Sequence, residues 1–89
     1  MSEARAPSAN PRVRCPCCGF RTLKARGDDE ICEVCFWHDD GQDDPYADEV
    51  WGGPNYALSL TQARANFAVI GAVEQRCAQD VRPPRADEM

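Results

Sequence analysis

Two Cys-x-x-Cys pairs dominate what this chain can fold into. Cys15-Pro16-Cys17-Cys18 and Cys32-Glu33-Val34-Cys35 are separated by thirteen residues, Gly19 to Ile31. Zinc takes four ligands in a tetrahedron, and two cysteines three apart on a tight turn can put both sulfurs on one ion. Two such turns complete the shell, which makes Cys15, Cys18, Cys32 and Cys35 the candidate metal ligands. The separation is slightly shorter than the usual fifteen to about twenty residues, and it leaves room for one short hairpin between the turns. Pro16 fixes φ at the start of the first turn. Gly19 follows the second cysteine, where positive φ and close approach to sulfur favour glycine.

Other chemistries use the same residues. Two disulfides would consume the same four thiols. A thioredoxin-like dithiol needs one pair at a helix start in a βαβ setting, and no such pattern is present here. Tetrahedral sulfur sites also hold iron. Cys17 and Cys77 are left over: Cys17 reads as a spare thiol inside the first turn, with replacement of Cys15 or Cys18 as ligand the alternative, and Cys77 as a small apolar residue in a later helical pattern.

The flanking residues extend the pattern. Cys15-Pro-Cys-Cys-Gly-Phe-Arg-Thr-Leu23 and Ile31-Cys-Glu-Val-Cys-Phe-Trp-His-Asp-Asp40 closely resemble the bacterial cysteine-rich CPCC domain, as do Gly53-Pro-Asn55, Ser59-Leu60, Ala63-Arg64, Asn66-Phe67 and Gly71-Ala72. The resemblance runs from about Arg12 to Pro84. Glu33 stands where proline is frequent in that family, and His38 where an acidic residue is frequent; neither change touches the four cysteines. The resemblance implies a small zinc-binding domain and gives a fold more than an activity.

At 89 residues the chain supports one small domain. Domains of that size commonly need a metal, disulfides or oligomerisation to be stable. The formal net charge of −5 argues against a broad phosphate-binding surface and suits a basic partner. The first residues lack the apolar run of a signal peptide, and nothing approaches a membrane-spanning stretch. A reducing, cytoplasmic location follows as the expectation, and it favours metal over disulfide.

Along the chain, residues 1–11 read as a disordered arm, 12–81 as a single zinc-ribbon-like domain, and 82–89 as a flexible tail. Val13 between two arginines predicts a short strand entering the first cysteine turn. Phe20-Arg21-Thr22-Leu23 predicts the return strand, and Gly27-Asp28-Asp29 a turn before Glu30 and Ile31 lead into the second pair. Phe36 and Trp37 are expected over the metal turns, and Tyr46, Trp51 and Tyr56 to pin the long connection 45–57. Ser59 with Gln62 forms a capping-box pattern, and Leu60, Ala63, Phe67 and Ile70 share one helix face ending at Gly71. A second short helix is expected over 72–80, with Pro83-Pro84 as a stop. The fold class is therefore small α+β: zinc-ribbon-like β-hairpins with two Cys-x-x-Cys knuckles, covered by one or two C-terminal helices.

Three functions are compatible with this reading. A closed four-cysteine site with no catalytic constellation indicates a structural zinc in a protein-interaction module whose exposed loop and tail meet a protein partner. A metal-dependent hydrolase or nuclease would instead use His38, Asp39 and Asp40 with Asp43 and Asp44; that stretch does not match a calcium loop, and a solvated acidic turn is the favoured reading of it. A nucleic-acid-binding ribbon would use Arg12, Arg14, Arg21, Lys24 and Arg26 as a basic edge.

Overall fold

A computed structural model describes residues 10–89. The arm expected over 1–11 therefore lies largely outside the described residues. Asn10 is within them and already anchored, its side-chain amide donating to the Asp87 carbonyl at 2.8 Å.

Each cysteine pair sits on the same kind of turn. In the first, the Cys15 amide donates to the Phe20 carbonyl and the Gly19 amide to the Cys15 carbonyl, at 2.8 and 2.9 Å. In the second, Cys32 N–H reaches the Trp37 carbonyl and Phe36 N–H the Cys32 carbonyl, at 2.9 and 2.8 Å. The residue after the second cysteine has positive φ in both, Gly19 at +82° and Phe36 at +75°. Glycine adopts this conformation freely, whereas phenylalanine holds it against steric strain. One knuckle geometry is thus built twice from unlike sequences.

The strands wrap the knuckles and do not link them. β1 (Val13–Arg14) pairs antiparallel with β2 (Arg21–Leu23) across the first knuckle. Across the second, Ile31 and His38 form a single antiparallel bridge. The hairpin expected between the two pairs is not present among the described residues. The connection is instead held by side chains: the Lys24 amide donates to the Glu30 carboxylate at 2.7 Å, and the Gly27 amide to the Asp39 carboxylate at 2.7 Å.

The helix α1 (Leu60–Ile70) starts and stops where its sequence directs. The Ser59 hydroxyl accepts from the Gln62 amide, and Gly71 closes the helix at φ +76° with its N–H on the Phe67 carbonyl. The capping box is half-made: the Gln62 side chain donates to Asn66 at 2.9 Å instead of turning back to Ser59. Leu60 and Ala63 are fully buried, but Ile70 is 37 % exposed, so the apolar face covers the core only along its first turns. The element expected as a second helix over 72–80 is a 3₁₀ helix over Gln75–Asp80. Glu74 is extended at φ −148°, which resets the chain after Gly71, and the Cys77 amide bonds three residues back to the Glu74 carbonyl.

The core gathers the cysteines with Leu23, Val34, Trp37, Leu58, Leu60, Ala63, Ala72 and Val73. Two backbone bonds fasten the later chain to the second knuckle: Val73 N–H to the Cys35 carbonyl at 2.9 Å and Arg82 N–H to the Glu33 carbonyl at 3.1 Å. Residues 82–89, expected as a tail, fold back over the hairpin. Arg82 grips both oxygens of Glu88 at 2.8 Å, and Glu88 is only 3 % exposed. A bidentate guanidinium–carboxylate pair gives this end a fixed geometry that its proline-rich sequence does not announce.

That clasp has a pH signature. Hydrogen bonds from the Arg82 guanidinium hold the Glu88 carboxyl down at about 2, from an ordinary 4.5. A depressed carboxyl contributes stability above its unfolded value and loses it as pH falls through the folded one. The clasp is therefore complete above about pH 4.5 and opens as pH falls toward about 2. Carbon-detected NMR of the Glu88 carboxyl should give a midpoint near the lower value. A midpoint at the ordinary glutamate position would show that the clasp does not form in solution.

Candidate metal centre

The sulfurs of Cys15, Cys18, Cys32 and Cys35 lie within 4.8 Å of one another, the one group of three or more His, Cys, Asp or Glu side chains among the described residues placed to share an ion. Cys15 and Cys35 sulfurs are 3.6 Å apart, and those of Cys18 and Cys32 3.7 Å. A tetrahedral ion with metal–sulfur bonds of about 2.3 Å separates neighbouring sulfurs by about 3.8 Å. The separations therefore suit a tetrahedral thiolate site. They are far longer than the roughly 2.05 Å of a disulfide, and all six cysteines are free thiols.

The electrostatics point the same way. Cys32 is held far below the ordinary thiol value by hydrogen bonds from Cys15, Cys18 and Cys35, and then from Thr22. Cys35 is held far above it, first through its hydrogen bond with Cys15 and next with Cys17. Close packing of the four sulfurs thus favours the charged form at Cys32 and opposes it at Cys15, Cys18 and Cys35. A divalent cation would let the others lose their protons, because thiolates bind metal in their deprotonated form.

The local supports come from both sides. Thr22, in β2, donates its hydroxyl to the Cys32 sulfur at 3.0 Å, and the Val34 amide points at the same sulfur at 3.4 Å. Arg64, from α1, donates to the Pro16 carbonyl at 2.8 Å and steadies the first knuckle. Cys15, Cys32 and Cys35 are at most 1 % exposed. Cys17 and Cys77 also join the core, but neither is in the four-sulfur group.

Thr22 carries no motif, and only its alternation within the strand placed it near the site. Partners of this kind typically change metal affinity 10–100-fold. Thr22→Val should weaken metal binding about tenfold in competition against a chromophoric chelator while leaving metal stoichiometry unchanged. An unaltered affinity would show that the hydroxyl plays no part.

The carboxylates of the acidic loop are each tied to local partners. Asp39 is fully buried, and its carboxylate accepts from the Arg26 guanidinium at 2.8 Å and from the Gly27 and Gly41 amides at 2.7 and 3.3 Å. Asp40 accepts from the Gln42 amide at 3.1 Å. Asp43 pairs with Arg26, and Asp44 with Arg64 at 2.7 Å. His38 has its backbone amide and carbonyl bonded to the side chain of Asn55. The carboxylates expected to converge on a catalytic ion are spread over turns and ion pairs. The basic edge is broken up as well: Arg26 lies inside the acidic loop, and Arg12 pairs with Glu30 at 3.6 Å.

The family model for cysteine-rich CPCC matches residues 13–88, nearly the whole chain. The chain belongs to the cysteine-rich CPCC family. No curated protein and no solved structure matches it. The matched span of this CPCC domain runs through the C-terminal clasp as well as both knuckles. No helix among the described residues is long and apolar enough to cross a membrane.

Proposed function

We propose that this CPCC domain is a zinc-ribbon-like module in which Cys15, Cys18, Cys32 and Cys35 hold one structural zinc, and that the module works by binding another protein. The observation that carries the reading is the closed, all-sulfur set, three of its four cysteines buried and Cys18 partly so. Four protein ligands fill a tetrahedron, while catalytic zinc sites keep one position for water. Zinc suits four thiolates in that geometry and adds no redox chemistry. Bound there, it would offset half of the charge of the four thiolates and fix one knuckle against the other. The residues around it orient sulfur and exclude water; none is placed to attack a substrate.

Elemental analysis with native mass spectrometry tests the metal. One zinc per chain, with tetrathiolate absorption bands after cobalt substitution, is the expected result. Absence of bound metal, or a second ion lost on His38→Ala or Asp40→Ala, would overturn it. The interaction half predicts a complex formed by metal-loaded protein and abolished by chelation.

A further inference from the structure

We infer that the surface formed by Tyr46, Asp48, Glu49 and Trp51 is a docking site for an arginine-bearing segment of another protein; this rests on the interaction reading above and names its surface and partner chemistry.

The long connection after the second knuckle was expected to be pinned by its aromatics, and it is not. Tyr46, Trp51 and Tyr56 are 48, 43 and 62 % exposed. Two buried amides pin it instead. Gln42 is fully buried and donates its side-chain N–H groups to the carbonyls of Tyr46 and Glu49. Asn55 bonds both backbone groups of His38. Further ties run to α1 and the residue before it: Thr61 N–H meets the Ala47 carbonyl at 2.9 Å, and Val50 bridges Ser59. The loop is therefore fixed in shape while the Tyr46 and Trp51 rings stay open to water; the Tyr56 ring is stacked by the Arg76 guanidinium, 4.7 Å from its centroid.

Tyr46 and Trp51 stand together, ring centroids 5.8 Å apart and tilted by 47°. Val50, preceding Trp51 in the chain, is 57 % exposed. Large apolar groups presented side by side on a rigid support mark an interaction surface. The charge around them selects the partner. Between Gly27 and Ala63 there is no Lys or Arg, and every charged side chain is acidic. Arg26 and Arg64, just outside that span, pair with Asp39, Asp43 and Asp44. Asp48 and Glu49 have no cationic partner among the described residues. Among the described residues the Asp48 side chain accepts only the Thr61 hydroxyl, and one Glu49 oxygen accepts the Trp51 indole N–H at 3.0 Å. That last bond sets the indole beside a carboxylate.

Exposed π-faces next to uncompensated carboxylates suit a cation. A guanidinium stacks flat on an aromatic ring and offers a planar fork of donors to a carboxylate, which an ammonium does not. Arginine is accordingly favoured over lysine. Because the loop is pre-shaped, binding costs little ordering.

The test uses metal-loaded full chain and a fluorescent arginine-rich peptide, read by anisotropy, with lysine-rich and glutamate-rich peptides of equal length for comparison. The expected result is salt-sensitive binding of the arginine peptide, tighter than the lysine peptide, with none of the acidic one. Trp51→Ala should weaken it about fivefold or more, and Asp48→Asn with Glu49→Gln should flatten the salt dependence. Asp28→Asn with Asp29→Asn, the same loss of two charges in an exposed turn of another part of the chain, should change it less than twofold. Equal losses in the Asp28→Asn/Asp29→Asn and Asp48→Asn/Glu49→Gln variants would reduce the effect to net charge and overturn the surface. Binding insensitive to Trp51→Ala would overturn the surface while leaving an interaction module in place. No binding of any basic peptide by zinc-loaded, folded protein would overturn the partner class. Self-association lost on Trp51→Ala would put a second copy on the surface and overturn it equally. Zinc content measured on the same samples separates all of these from failure of the metal reading.

Discussion

Removing the proposed zinc with a chelator should unfold the protein. The backbone ladder is small: β1 and β2 pair over two and three residues, and the second knuckle has one bridge. No strand pairing spans the two knuckles among the described residues, so the four sulfurs are their principal meeting point. Structural zinc in small modules contributes about 10–16 kcal/mol near neutral pH. A whole domain is typically stable by only about 5–15 kcal/mol. Loss of the metal therefore exceeds what the rest of this core can supply. The apo cluster would also keep thiols packed at 3.6–3.7 Å with burial and mutual hydrogen bonding opposing ionisation of all but Cys32.

Trp37 provides the readout. It is fully buried, whereas Trp51 is already 43 % exposed, so chelation should red-shift one of two tryptophan environments. Far-UV circular dichroism should lose the α1 signal in the same titration, and added zinc should restore both. Cys35→Ser should reproduce the apo state. Cys17→Ser should keep zinc and fold, because Cys17 is outside the four-sulfur group. A native spectrum retained after complete metal removal would show that the packing of Leu23, Trp37 and Leu60 suffices alone.

Local signals in the sequence carried a long way. The cysteine spacing brought together the four residues it named, and Ser59 and Gly71 bound the helix as their chemistry requires. These features depend on residues a few positions apart, where spacing fixes geometry. Long-range side-chain bonds were not legible. Asn55 acts on His38 from 17 residues away, Arg26 on Asp39 from 13, and Arg64 on Pro16 from 48. Nothing in local periodicity distinguishes an amide that will replace a strand's hydrogen bonds from one on a surface turn. The aromatics of the 45–57 connection misled for the same reason. Large apolar side chains usually mark the core, but here Gln42 and Asn55 occupy the interior and the rings face out. The acidic loop could be read as a metal site or as surface; its ion pairs depend on Arg26 and Arg64, which approach from other parts of the chain.

Asp39 shows most clearly what that loop does, and its substitution should have the second largest effect. Its side chain is 0 % exposed, and an ionised carboxylate is tolerated there only because it is fully partnered. Arg26 supplies the opposite charge, while Gly27 and Gly41 supply two amides, one from each side of the turn the carboxylate closes. The Asp39 backbone joins in, its carbonyl accepting from Asp29 at 2.9 Å and its N–H donating to Glu30 at 3.0 Å. One residue thereby ties the connection between the knuckles to the acidic loop. Asp39→Asn keeps the shape but removes the charge opposite Arg26 and gives a side chain that can direct an N–H at the Gly27 or Gly41 amide. Removing one partner of a buried ion pair costs about 3–5 kcal/mol. Arg26 is 32 % exposed and can recover some hydration, so about 2–4 kcal/mol is expected here. Urea unfolding of the zinc-loaded protein should show that loss as a lower midpoint with an unchanged slope. Zinc stoichiometry should stay the same, because Asp39 belongs to the scaffold and not to the four-sulfur set. A catalytic Asp39 would behave in the opposite way, since buried functional carboxylates are retained at the expense of stability and their neutralisation is tolerated by the fold. Unchanged or increased stability in Asp39→Asn would therefore return the acidic loop to the hydrolase reading.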